Sequence, residues 1–121
     1  MKYLIALALA AVVLVITGCR KHGAKTVQMM PDNAVLLDVR SAEEFRSGHL
    51  PGAVNIPHTV IAEKISGTAP DKSTPLYLYC RSGRRVGVAM EALKSAGYTD
   101  MHNLGGISEA AKTLNLQPVN D

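Results

Sequence analysis

Cys80 is the residue in the body of this chain whose type and setting suit covalent chemistry. It follows Leu76-Tyr77-Leu78-Tyr79, which alternates aliphatic and aromatic residues as a strand does. The polar run Arg81-Ser82-Gly83-Arg84-Arg85 comes next, and apolar residues recur at helical spacing over 86–96. The thiol therefore falls between a strand and a helix, the place where open α/β sheets put ligands. Nearby cations and a helix N-terminus favour the thiolate, the nucleophilic form of cysteine. The amides of 81–85 can converge as an anion nest, with Gly83 letting the chain curl. A buried, inert cysteine is the plain alternative, and the surrounding charge argues against it.

The elements that must position this loop are readable around it. Residues 34–39 form an apolar run broken by Asp38, which suits a central strand. A carboxylate at such a strand end must be paired, and Arg40 follows at once. Asp38 and Arg40 are therefore expected to support a loop, the one after Cys80 being the candidate. Ser41 can cap a helix over 42–46, with Glu43 and Glu44 in its first turn. Strands are expected at 53–56 and 101–104, and helices at 59–65 and 108–114. An edge strand is expected near 26–28. Alternating strands and helices with long crossovers make an α/β domain of three layers.

With 121 residues, 47% hydrophobic and 19% charged, the chain is sized for one folded domain. It has no Trp and one Phe, so an aliphatic core is expected. A net charge of +3 suits small anionic substrates. No basic helix face or long Lys/Arg run points to nucleic acid. His22 and His102 have no partners at metal-ligand spacing, so neither a metal nor another cofactor is expected, and His58 is expected to cap or precede a helix. His49 is expected to hydrogen-bond its own turn. A monomer is the expected state.

The N-terminus reads as a leader. Lys2 precedes an unbroken apolar run over 4–16, followed by Thr17-Gly18-Cys19. As a helix that run covers roughly 20 Å, short of the roughly 30 Å hydrocarbon core, which disfavours a membrane-spanning anchor. The expected division is a signal peptide over 1–18, a tether over 19–26, a domain over 27–116 and a frayed tail over 117–121.

Ile16-Thr17-Gly18-Cys19 resembles the lipobox of bacterial lipoproteins. That resemblance implies lipid on Cys19, anchorage on the periplasmic side of the envelope and, with Arg20 next, the outer membrane. The body has a resemblance of its own. Asp38-Val39-Arg40, Glu44-Phe45, the stretch from Gly48-His49-Leu50-Pro51-Gly52-Ala53 through Val54-Asn55-Ile56-Pro57, Tyr79-Cys80-Arg81-Ser82-Gly83-Arg84-Arg85, and Gly105-Gly106 occur in that order. In this order they resemble the single-domain rhodaneses, a sulfurtransferase family, and most of all its small secreted phage-shock type. The resemblance spans about 27–115. It implies a mostly parallel, five-stranded sheet flanked by helices, and a catalytic loop over 80–85.

The activity implied is transfer of a sulfane sulfur from thiosulfate or a similar small anionic donor, through a persulfide on Cys80. The acceptor is cyanide or a thiol. Arg81 is the candidate for the donor's anionic end, with Ser82, Gly83, Arg84 and Arg85 completing the substrate loop. Arg85 either shares that role or caps a carboxylate, and Arg84 is expected nearer solvent. One departure from the family is Ile107-Ser108-Glu109-Ala110, where many members place an aromatic residue. Two other readings stand beside this one. The domain is a non-catalytic binding or sulfur-carrier module, or it is a small cysteine phosphatase or arsenate reductase. The phosphatase loop places Arg six residues after Cys, and that position here is Val86.

Overall fold

The computed structural model describes residues 30–120. Within them the chain alternates strand and helix: β1 (Val35–Asp38), α1 (Ala42–Ser47), β2 (Val54–Asn55), α2 (Ile61–Thr68), β3 (Leu76–Cys80), α3 (Arg84–Ser95), β4 (Met101–Gly106) and α4 (Ile107–Leu114). The described sheet has four strands in the order β2-β1-β3-β4. Every neighbouring pair in it is parallel. The strand expected near 26–28 lies outside the described residues, as do the leader and Cys19.

Strand alternation builds the layers. Leu37, Leu76, Leu78 and Cys80 point to one face, where Ile61 and Ile65 of α2 and Val86, Ala89 and Leu93 of α3 cover them. Leu36, Tyr77, Tyr79 and Leu104 point to the other face, against Ala110 and Leu114 of α4. This is the expected three-layer α/β arrangement. The core is mostly aliphatic, as expected, and Tyr77, Tyr79 and Tyr98 are also buried in it. The hydroxyls of Tyr98 and Tyr79 find partners there. The Tyr98 hydroxyl donates to the Ala69 carbonyl at 2.5 Å, and the Tyr79 hydroxyl accepts from the Leu50 N–H at 3.0 Å.

Helix boundaries differ from the sequence expectation in instructive places. α2 runs through Gly67 to Thr68, because a lone glycine costs a helix only about 1 kcal/mol. α3 begins at Arg84, so two of the expected loop arginines sit in its first turn. β4 continues through both glycines and passes directly into α4. The tail, expected to fray, is held at Val119, which exchanges backbone hydrogen bonds with His49 at 2.8 and 2.7 Å.

All four strands end on one side of the sheet, and two connections leave from there in opposite directions. β1 leads through α1 to β2 on one flank, while β3 leads through α3 to β4 on the other. The segments after β1 and β3 therefore flank the switch point of the sheet, and Cys80 stands at its edge. Tyr79 fixes the two segments to each other through Leu50. Replacing Tyr79 with Phe strands the buried Leu50 N–H. Tyr79→Phe should cost about 1–3 kcal/mol in urea-unfolding free energy. A variant as stable as the parent would show that this bond contributes nothing.

Candidate active site

Cys80 ends β3 fully buried, on the α3 face of the sheet. The chain then turns into α3 within three residues, 81–83. Gly83 makes this possible. It is the N-cap of α3 and adopts a left-handed conformation at φ 95°, ψ −14°, which side chains resist. Its N–H donates to Cys80 Sγ at 2.9 Å. The sulfur is thereby held against the positive end of a helix of 12 residues.

Gly106 supplies the floor under the loop. It pairs with Cys80 across the β3–β4 ladder, and a Cβ placed on it would collide with the Arg81 carbonyl oxygen. The same packing leaves a Cβ on Gly83 only 3.3 Å from Gly105 Cα. Gly106 is itself fixed, since its N–H donates to the Glu109 carboxylate at 2.9 Å. The two glycines at the end of β4 thus let the loop backbone lie directly on the sheet edge.

The three loop arginines diverge. Arg84 is exposed at the start of α3. The Arg81 side chain is 79% exposed, with its guanidinium 3.8 Å from Glu44. Arg85 is more enclosed, at 29%. It donates from Nη1 to Glu44 Oε1 at 2.8 Å and from Nη2 to Oε2 at 2.9 Å, a two-pronged pair of the strongest type. Of the two roles open to Arg85 in the sequence, the geometry shows the carboxylate contact. Ser82 lies exposed between Arg81 and Gly83.

Glu44 is the residue that sequence reasoning missed. Its side chain caps α1: Oε1 accepts from the Ser41 N–H at 3.0 Å and the Ser41 hydroxyl at 3.1 Å, and the Ser41 oxygen accepts from the Glu44 N–H at 3.2 Å. This capping box is visible as Ser-x-x-Glu. Its second task, reaching across 41 positions to Arg85, carries no spacing signal. The Arg85 hydrogen bonds, opposed by burial and helped by Ser41, hold the Glu44 carboxyl down at about 2. Arg85 is held above the ordinary arginine value by its hydrogen bonds to Glu44, against desolvation, with the electrostatic influence of Glu44, Cys80 and Asp38 adding to it.

Asp38 and Arg40 form a neighbouring, buried assembly. Asp38 accepts from Arg40 Nε at 3.0 and 3.1 Å, from Nη2 at 2.6 Å and from the Arg40 N–H at 2.9 Å. Arg40 Nη2 also donates to the Gly48 carbonyl at 2.6 Å. The loop tied down is therefore the turn after α1, and not 81–85 as expected. Its reach to the cysteine is indirect, through α1, which carries Glu44. Burial disfavours the Arg40 charge, but the hydrogen bonds and charge of Asp38 outweigh it and raise Arg40 above its ordinary value. Burial, opposed by the Leu50 N–H, pushes the Tyr79 phenol well above the usual tyrosine range, so it stays neutral. His49 sits in this corner with Nδ1 2.8 Å from the Phe45 carbonyl and its ring stacked on Phe45.

Among the described residues no group of three or more His, Cys, Asp or Glu is placed to hold a metal. Two surface clefts of about 380 and 480 Å³ lie along α4 and beyond the C-terminal end of α3. Neither is lined by residues 80–85.

The Glu44 clasp has a pH signature. Its folded value of about 2 lies below the ordinary 4.5, so its contribution to stability is complete above pH 4.5 and fades as pH falls toward 2. Stability measured by urea unfolding should fall across that window more steeply in the parent than in Glu44→Gln. Parallel curves would mean that Glu44 is unperturbed in the fold.

Known proteins agree with this geometry. The model of the Rhodanese-like domain matches residues 24–113. Thiosulfate sulfurtransferase PspE of Escherichia coli (strain K12) is 40% identical over 75 residues, which cover 62% of this chain and 72% of that protein. Thiosulfate sulfurtransferase GlpE of Pseudomonas savastanoi pv. phaseolicola is 36% identical over 73 residues, covering 60% of this chain and 67% of that protein. A solved rhodanese with anions from E. coli superposes with a TM-score of 0.65 at 35% identity, over 73% of this chain and 99% of that one. A strand-loop-helix cysteine site at the switch point of a parallel sheet, together with these matches, shows that the chain belongs to the rhodanese family of sulfurtransferases.

Proposed function

We propose that this sulfurtransferase carries its sulfur on Cys80 and takes it from thiosulfate. The observation that supports this most is the Gly83 N–H held 2.9 Å from Sγ at the start of α3. A donor amide and a helix N-terminus stabilise negative charge on sulfur, both in the thiolate and after transfer. The Cys80 thiolate attacks the outer sulfur of thiosulfate. A bond from Sγ to that sulfur forms, the bond to the sulfonate breaks, and sulfite leaves with the electron pair. Cyanide or an acceptor thiolate then attacks the outer sulfur of the persulfide, and the Cys80 thiolate departs. The cycle is a double displacement.

Arg81 binds the sulfonate end of the donor in this reading. It stands beside the cysteine, is well exposed, and has only a loose contact with Glu44. Arg84, exposed one turn away, adds positive potential. Arg85 does not turn over the cysteine, because Glu44 holds both prongs of its guanidinium. That placement disfavours the phosphatase and arsenate-reductase readings, which need an arginine cradling the oxyanion. The presence of the cysteine disfavours a purely binding module.

The leader belongs to the same proposal. The apolar run over 4–16 and the Thr17-Gly18-Cys19 sequence support a signal peptide over 1–18 and lipid on Cys19. The protein then works at the periplasmic side of a bacterial envelope, anchored to the outer membrane through a tether over 19–26, with the domain over 27–116. Two acyl signals on one residue suffice for stable anchoring.

Two measurements check these assignments. Cys80→Ser should lower thiocyanate formation from thiosulfate and cyanide by roughly a thousandfold or more, while Arg81→Ala should raise the KM for thiosulfate about tenfold and leave kcat within about twofold. Retained turnover in Cys80→Ser would remove the persulfide route. For the anchor, Cys19→Ala should move the protein from the membrane fraction to the soluble one. A full-length wild-type protein that never enters the membrane fraction would exclude lipid on Cys19.

A further inference from the structure

The first turn of α3 is poorly held by its own backbone. Its N-cap, Gly83, has no side chain to offer the free amides. The first helical hydrogen bond, from the Gly87 N–H to the Gly83 carbonyl, is 3.4 Å long, beyond the usual range for such bonds. Gly87 is a second residue of low helix propensity in that turn. Val86, Ala89 and Leu93 hold α3 to the sheet, but apolar contact lacks direction. Direction comes from Arg85, whose fork meets both oxygens of Glu44 at 2.8 and 2.9 Å. Glu44 is itself set by the Ser41 N–H and hydroxyl. Its Oε2 also lies 3.8 Å from Arg81, so one carboxylate faces both ends of the 81–85 segment. Gly83, midway along it, carries the N–H that meets Sγ at 2.9 Å.

We propose that Glu44 is a positioning residue for Cys80: by clasping Arg85 it fixes the first turn of α3 and so keeps the Gly83 N–H on the sulfur. This deepens the sulfur-transfer reading given above and rests on it. In that cycle Cys80 is a thiolate twice, when it attacks the donor and when it leaves the persulfide. The Gly83 amide must be in place both times, and the clasp is what holds it there.

Two measurements test this. The first is amide hydrogen exchange of the resting protein, followed by NMR, which needs no turnover. Relative to the amide of Leu78, a fully buried residue of β3, Gly83 should exchange about tenfold faster in Glu44→Gln and in Arg85→Gln, and no faster in the double variant. Glu44→Gln keeps an oxygen for the Ser41 cap, so α1 retains its start. Exchange is base-catalysed, so altered charge alone would move the two single variants in opposite directions. Arg85→Lys keeps the charge and loses the fork; it should loosen Gly83 as well, and serves if a neutral variant does not fold. Gly87→Ala, whose Cβ meets nothing within 4 Å, strengthens the same turn. Added to Glu44→Gln, it should bring Gly83 back to within about threefold of the parent. The second measurement is the transfer of sulfur from the preformed Cys80 persulfide to cyanide. Glu44→Gln should slow it about tenfold, whereas loss of a negative charge without movement of the loop would speed attack by an anion. Unchanged Gly83 exchange, opposite shifts in the two single variants, no rescue by Gly87→Ala, or a cyanide step that is not slowed would each overturn the proposal. Failure of the parent Cys80 to take up sulfur would instead defeat the underlying reading, and the exchange result would stand apart from it.

Discussion

The constraint on which this molecule turns is the space between the end of β3 and the end of β4. A strand must become a helix within three residues there, with its backbone resting on the neighbouring strand. Only a left-handed residue at 83 and a bare Cα at 106 allow it. The result aims the Gly83 N–H at Cys80 Sγ. The chemical character of the cysteine is therefore a property of how closely two backbones approach.

The second requirement is that the segment after β1 arrive at the right place. Asp38 and Arg40 are both buried, and burying a charge pair is costly unless each partner is fully hydrogen-bonded. Here the carboxylate accepts four contacts from one arginine, and the same Nη2 that reaches the carboxylate also donates to Gly48. Such a pair serves geometry more than stability. It fixes both ends of α1 relative to the sheet, so the Glu44 carboxylate stands where Arg85 needs it. Asn55 reinforces the corner by donating to the Asp38 and Arg40 carbonyls, both at 2.9 Å.

Much of this was legible in the amino-acid sequence, for physical reasons. Period-two alternation at 76–79 and the buried run at 34–39 marked the central strands, and the position of Cys80 after one of them marked the loop. The departures share one cause, which is that they depend on contacts distant in sequence. Arg84 and Arg85 look like loop residues because they are charged, yet they begin a helix whose other face is apolar. Asp38 was matched with the wrong loop because Arg40 reaches Gly48 through folding, not adjacency. The partnership of Glu44 and Arg85 and the pairing of Val119 with His49 follow from strand order, which a single chain does not display. Ile107, which begins the stretch where the sequence departs from the family pattern, packs as an aliphatic against the buried cluster that holds Leu36, Tyr77 and Leu104.

The central claim is that the sulfur in transit rests on Cys80. The most direct measurement is the mass of the protein after brief exposure to thiosulfate, with peptide mapping, followed by a chase with cyanide. The account predicts one added sulfur atom, located on the peptide containing Cys80 and removed by cyanide as an equal amount of thiocyanate. Sulfur on another residue, or turnover without any sulfur-bearing protein, would contradict it.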